Sequence, residues 1–173
     1  MKNSIVLVLI MIMITSCQDQ QKVAFIENSK VINEYQKKKD VEAKFKIKDQ
    51  AFQKRTDSIS KAFQLEAQDF QLNASKMTQA KQQEQYQALG QKQQLLQQQI
   101  QFEDQQLQKQ FQTEIDSVVS NFKTFVKDYG KANGYAYILG SNEAGSVLYG
   151  SEENDITQVI IDALNNEYKN AKK

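Results

Sequence analysis

The sequence predicts a mostly α-helical chain with a small β body, in which a long antiparallel helical hairpin projects as a coiled-coil arm from a small oligomeric body of strands and helices. Three observations carry this. Residues 28–129 contain no proline and one glycine, Gly90, so about 100 residues rich in helix formers run on with almost no breaker. Apolar residues recur through that stretch at threes, fours and sevens, the signature of coiled-coil seams. Strand-like runs stand only near the two ends of the chain.

Residues 1–16 come first, with Lys2 as a positive start, an unbroken apolar run over 5–14, and the small pair Thr15-Ser16. That is the build of a secretory signal peptide. Ten apolar residues fall well short of the roughly 20 needed for a membrane-spanning helix. The single cysteine, Cys17, follows directly. With no second cysteine to resolve it, a redox role is disfavoured.

Residues 22–27, KVAFIE, read as a strand, and Asn28 or Ser29 offers a cap for a short helix carrying Val31, Ile32 and Tyr35. In the ascending arm Val41, Phe45, Phe52, Ile59, Phe63 and Phe70 fall at spacings of four and seven. Tyr86, Leu89, Leu96, Ile100 and Leu107 continue the pattern, and after a stutter Phe111, Ile115, Val118, Phe122, Phe125 and Tyr129 extend it. The seam is imperfect, with Gln93, Glu103 and Gln110 at positions where it asks for apolar residues. Asn73 to Lys76 is the weakest helical stretch, because Asn and Ser compete for backbone hydrogen bonds. The hairpin tip is expected at 73–77 and the arm over 37–111. The descending helix is expected to outrun the ascending one by 16 residues and to enter the body. Gln makes up 17 of the 34 residues from 79 to 112. Since the apolar spacing persists through that tract, a solvated helix face is preferred over a disordered one.

Gly130 is the expected helix stop. Residues 135–139, YAYIL, read as a strand, 140–145 as a turn and 146–149 as another strand. Asn154 or Asp155 then caps a closing helix with Ile156, Val159, Ile160 and Leu164 as its buried stripe. Pairing the strand at 22–27 with that at 135–139 would close a body made of residues 22–36 and 112–173. The expected body and oligomer core comprises Val23, Phe25, Tyr135, Tyr137, Ile138, Leu139, Val147, Leu148, Ile156 and Ile160. Such a core is thin for a lone domain, which predicts burial between subunits.

Composition excludes much. The chain has no His, Trp or Pro, which removes the commonest general base and metal ligand. Adjacent carboxylates such as Glu103-Asp104 and Glu152-Glu153 do not face one another on a helix. No glycine-rich phosphate loop occurs either. No catalytic residue, metal or cofactor is expected, and the chain is read as not an enzyme. The secreted part, having lost Lys2, carries 21 basic and 21 acidic residues. The segment 37–112 has 13 basic and 9 acidic residues, an excess too small to imply a nucleic-acid partner.

Two resemblances add to this. Ile14-Thr15-Ser16-Cys17 resembles the lipobox of bacterial lipoproteins, which implies a lipid on Cys17, a tether over 17–21 and a membrane partner, since two or more acyl chains anchor stably. Gln18 in place of Asp implies the outer rather than the inner membrane of a Gram-negative-type cell. KVAFIENSKVINEY (22–35) and YAYILGSNEAGSVLYGSEENDIT (135–157) resemble the opening and closing segments of the Skp/OmpH family of periplasmic chaperones. That resemblance implies a homotrimer whose three arms enclose unfolded outer-membrane proteins without ATP. Phe45, Phe52, Phe63, Phe70 and Phe102 are then the candidate client-facing residues, although most are expected to pack the hairpin seam. Many relatives follow Asn-Glu-Tyr with Pro, whereas this chain has Gln36, so the first helix is expected to run into the arm with less of a kink. The competing reading is a structural or adaptor lipoprotein whose coiled coil binds a folded envelope partner.

Overall fold

The computed structural model describes residues 21–142 and 145–172. Strand β1 (Lys22–Glu27) leads into helix α1 (Asn28–Glu34), and α2 (Gln36–Asn73) forms the ascending arm. A 3-10 turn at Ala74–Lys76 makes the tip, and α3 (Gln79–Ala132) descends. Strand β2 (Tyr135–Ser141), a 3-10 turn at Glu152–Asn154 and helix α4 (Thr157–Ala171) complete the body.

The arm follows its sequence pattern closely. The two helices have 38 and 54 residues, about 57 and 81 Å at 1.5 Å per residue, so α3 outruns its mate by the expected margin. The turn sits where Asn73 and Ser75 weaken the helix. Thr78 restarts it, its side chain accepting from the Lys81 amide at 3.4 Å, which satisfies one of the orphan donors of the first turn. The stop of α3 differs from expectation. Gly130 lies buried inside the helix, where a Cβ would stand 3.3 Å from Ile138 Cδ1. The helix ends instead at Asn133 and Gly134, whose φ of 70° is open to glycine and costly for other residues.

In the body, β1 and β2 pair in parallel, Val23 opposite Tyr137 and Phe25 opposite Leu139. Alternation sends Ala24 and Ile26 inward and Val23 and Phe25 to the other face. The core within one chain is therefore built on Ala24 and Ile26, not on Val23 and Phe25. The expected strand at 146–149 does not form. The outer edge of β1 is taken by residues further on, where Asp155 bridges Phe25 and the Ile156 amide donates to the Phe25 carbonyl at 3.0 Å. Residues 146–149 pair with neither strand, and the sheet has two strands among the described residues. In α4 the buried stripe is Ile160, Ile161 and Leu164, with Ile156 buried just before it and Val159 half-exposed. The expected stripe was one residue out of phase at Val159.

The largest departure lies where the body meets the arm. Despite Gln36 in place of proline, the helix breaks at Tyr35, whose φ of −67° and ψ of 118° are extended. The break is held from the far end of the chain. Asn165 of α4 accepts from the Gln36 amide at 2.7 Å and donates to the Glu34 carbonyl at 3.2 Å. It thereby satisfies one orphan group on each side of the gap. The Tyr168 ring meets Tyr35 edge to face at 5.8 Å, and its hydroxyl donates to Asp40 at 3.0 Å. Lys172 pairs with the same carboxylate. A kink that proline would impose locally is imposed here by tertiary contact.

Candidate functional site

The arm is the one large element outside the body, and its burial falls away with distance. At its root Val41, Phe45, Val118 and Phe122 belong to the same cluster of buried residues as Val31, Tyr35, Ile160 and Leu164. Beyond Phe45 on α2, and before Val118 on α3, no residue is buried. A two-helix layer has only one neighbour for each helix, so it cannot enclose its seam.

The five arm phenylalanines separate accordingly. Phe45 is buried and meets Phe111 edge to face at 5.2 Å. Phe52, Phe63 and Phe70 are half-buried along the seam, and Phe102 alone stands out, 61% exposed. Tyr86, expected in the seam, is 72% exposed. Gln82 and Gln85 take the neighbouring half-buried positions, so the seam near the tip is polar.

Sequence reading missed a second set of residues. Ile47, Leu65, Leu72 and Leu95 are all exposed. At about 100° per residue, Ile47, Leu65 and Leu72, spaced 18 and 7 apart, form a stripe nearly opposite the α2 seam. Leu95 and Phe102, seven apart, likewise share one side of α3. These stripes were visible as a second periodicity once the seam positions were set aside.

Charge divides the hairpin into two sides. Lys44–Glu114, Arg55–Glu103 and Glu66–Lys92 bridge α2 and α3, and Lys48 donates to Gln110 at 2.9 Å. All fall to the same side of both seams on a helical wheel. The Lys48 ammonium also lies 4.7 Å over the Phe45 ring and the Arg55 guanidinium 5.8 Å over Phe52, so cations line the cavities of about 540 and 380 Å³ that open on that side. The other side has no cross-helix ion pair among the described residues. There a cavity of about 360 Å³ opens on Phe45, Leu107 and Phe111, and one of about 480 Å³ opens further out on Ile59, Phe63, Leu96 and Ile100.

A second unpartnered surface lies on the body. Val23, Tyr137 and Leu139 project from the outer face of the sheet, and Leu148 and Tyr149 stand nearby in sequence at 93% and 87% exposure. Val147 and Phe25 are half-buried, and Gly150 packs so tightly on Phe25 that a Cβ there would meet its ring at 2.3 Å. Tyr135 and Ile138 pack against the core, while Ile156 and Ile160 lie inside it. Cys17 lies outside the described residues. Among the described residues no helix is long and apolar enough to cross a membrane, and no three His, Cys, Asp or Glu side chains gather to hold a metal ion.

A small strand-and-helix body carrying a long, wet two-helix arm defines the class: a coiled-coil hairpin protein whose apolar surface is displayed rather than enclosed. The chain belongs to the outer membrane protein (OmpH-like) family, whose model matches residues 22–164. Its fold is shared by the OmpH-like protein of Caulobacter crescentus CB15, a proposed outer membrane chaperone, with a TM-score of 0.75 over 85% of each chain at 18% identity. No curated protein matches the chain in sequence.

Proposed function

We propose that this protein is an ATP-independent holdase chaperone of the periplasm, which binds unfolded outer-membrane or other envelope proteins between its coiled-coil arms and is tethered to a membrane by lipid on Cys17. The observation that carries the reading is the display of large apolar side chains, Ile47, Leu65, Leu72, Leu95 and Phe102, along an arm that is otherwise polar. A folded monomer has no use for such surface, whereas an unfolded chain offers many weak apolar partners. Family membership and the chaperone proposal made for the Caulobacter protein support it.

The outer sheet face has the composition of an interface. Val23, Tyr137, Leu139 and Leu148 form an apolar set that a homo-oligomer would bury, and a trimer is the assembly proposed. Lys22, the first residue of β1, lies five chain steps after Cys17, a reach of at most about 18 Å. The body is therefore held close to the lipid surface, on the outer membrane, where Gln18 in place of Asp directs it.

The test uses the secreted chain carrying Cys17→Ser. A urea-unfolded outer-membrane barrel protein is diluted into buffer with increasing amounts of it, and light scattering is followed. Suppression at about one trimer per client is the expected result. Unchanged scattering from a folded, oligomeric sample removes the holdase reading. For the tether, retention of the wild-type chain in membranes through carbonate washing is expected, and its release without detergent overturns that part.

A further inference from the structure

We infer that the cavity at the root of the arm selects what it holds, taking an extended segment of unfolded polypeptide in which an aromatic or aliphatic side chain is flanked by Lys or Arg; this rests on the holdase reading. The cavity has a floor of Phe45, Leu107 and Phe111, the last 37% exposed. Its rim carries Glu42, Asp49 and Asp104 against one cation, Lys46. Glu42 pairs with Lys38 at 3.0 Å and Asp104 accepts from Gln108 at 2.8 Å, while Asp49 has no side-chain partner among the described residues.

Three features point to this occupant. The open groove of about 360 Å³ has room for an apolar side chain. The second cavity, at Ile59 and Leu96, opens on the same side of the hairpin about 22 Å further out, a distance that some seven extended residues span. The rim is acidic on an arm whose segment 37–112 is net basic, because Lys44, Lys48, Arg55 and Lys92 occupy helix positions on the other side, where they meet their cross-helix partners. A cation placed beside the apolar anchor meets carboxylates, and an anion placed there is repelled.

The experiment compares two fluorescent peptides with the same central Phe-Leu pair, one flanked by Lys and one by Glu, binding to the chain with Cys17→Ser. A preference of about tenfold for the Lys-flanked peptide is expected, since three rim charges each contribute a modest surface interaction. The variant Glu42→Gln/Asp49→Asn/Asp104→Asn is expected to bring the ratio to about one. The control Asp69→Asn/Glu84→Gln/Asp116→Asn, which removes three arm carboxylates lying away from the cavity, is expected to leave the ratio unchanged. Equal binding of the two peptides to the wild type, or an equal loss of preference in both variants, overturns the inference. Light scattering of an unfolded barrel protein separates the levels. If scattering is still suppressed when the preference is absent, the cavity assignment fails alone; if it is not suppressed, the holdase reading fails with it.

Discussion

The root and the far half of the arm are made of the same two helices and of similar residues, yet they are held in different ways. At the root, Val41, Phe45, Val118 and Phe122 are buried because α1 and α4 supply a second layer. Toward the tip the seam residues Phe63, Phe70 and Leu89 stay half-buried, since a bare pair of helices leaves part of each ridge in water. Burial here is a matter of neighbours rather than of side-chain type. The root is a folded core, and the far arm is a helix pair whose rigidity comes from helix propensity and sparse cross-links.

The widest gap between the two halves is expected from truncating a phenylalanine in each. Phe45→Ala is expected to cost about 3–5 kcal/mol in urea unfolding. Phe70→Ala, where no residue is buried, is expected to cost less than about 1.5 kcal/mol and to show mainly as faster amide exchange near the tip. Equal costs would dissolve the distinction.

Next in size is the clamp. Asn165→Ala strips a partner from both the Gln36 amide and the Glu34 carbonyl, with an expected loss of about 1–3 kcal/mol. Its particular sign is a change in the angle between arm and body, read by spin labels on α4 and mid-α2, with helix content unchanged.

A smaller effect follows from Asp40. The Lys172 ammonium, then the Gln36 side-chain amide, holds its carboxyl below the usual range, with Tyr168 assisting. A carboxylate whose folded pKa is depressed stabilises fully above its unfolded value, and that stability is lost as pH falls through the folded one. Thermal stability should therefore drop more steeply below about pH 4 in the wild type than in Asp40→Asn. The carboxylate is about one-third exposed, so the difference will be modest.

Smallest of all is the far cross-link. Arg55→Gln, which breaks the pair with Glu103 on the ion-paired side of the seam, is expected to cost about 0.5 kcal/mol and to vanish in high salt.

Much of this architecture was legible because it is written locally. The arm's length, its tip at Asn73–Lys76 and the offset between its helices follow from helix propensity, apolar spacing and one weak stretch. The pairing of residues 22–27 with 135–139 followed from strand character at both ends. What sequence concealed was every feature decided by a distant partner. Gly130 reads as a stop, but Ile138 packs where its Cβ would be. Val23 and Phe25 read as core because an alternating apolar strand does not say which of its two faces turns inward, whereas the single chain turns Ala24 and Ile26 inward. Leu148 reads as a strand residue, but residues 146–149 pair with neither strand and Leu148 stands exposed. The candidate site was legible by chemistry and not by position. Phenylalanines were picked out for being aromatic, and four of the five lie along the seam, while the aliphatics Ile47, Leu65, Leu72 and Leu95 stand exposed, as Phe102 does.

The contact between Asn165 and Gln36 joins residues 129 apart. A chain made from its N-terminus has both arm helices before it has the side chain that sets their direction. The pointing of the arm thus waits on the last helix, and a truncation that removes Asn165 leaves an arm of full length aimed nowhere in particular.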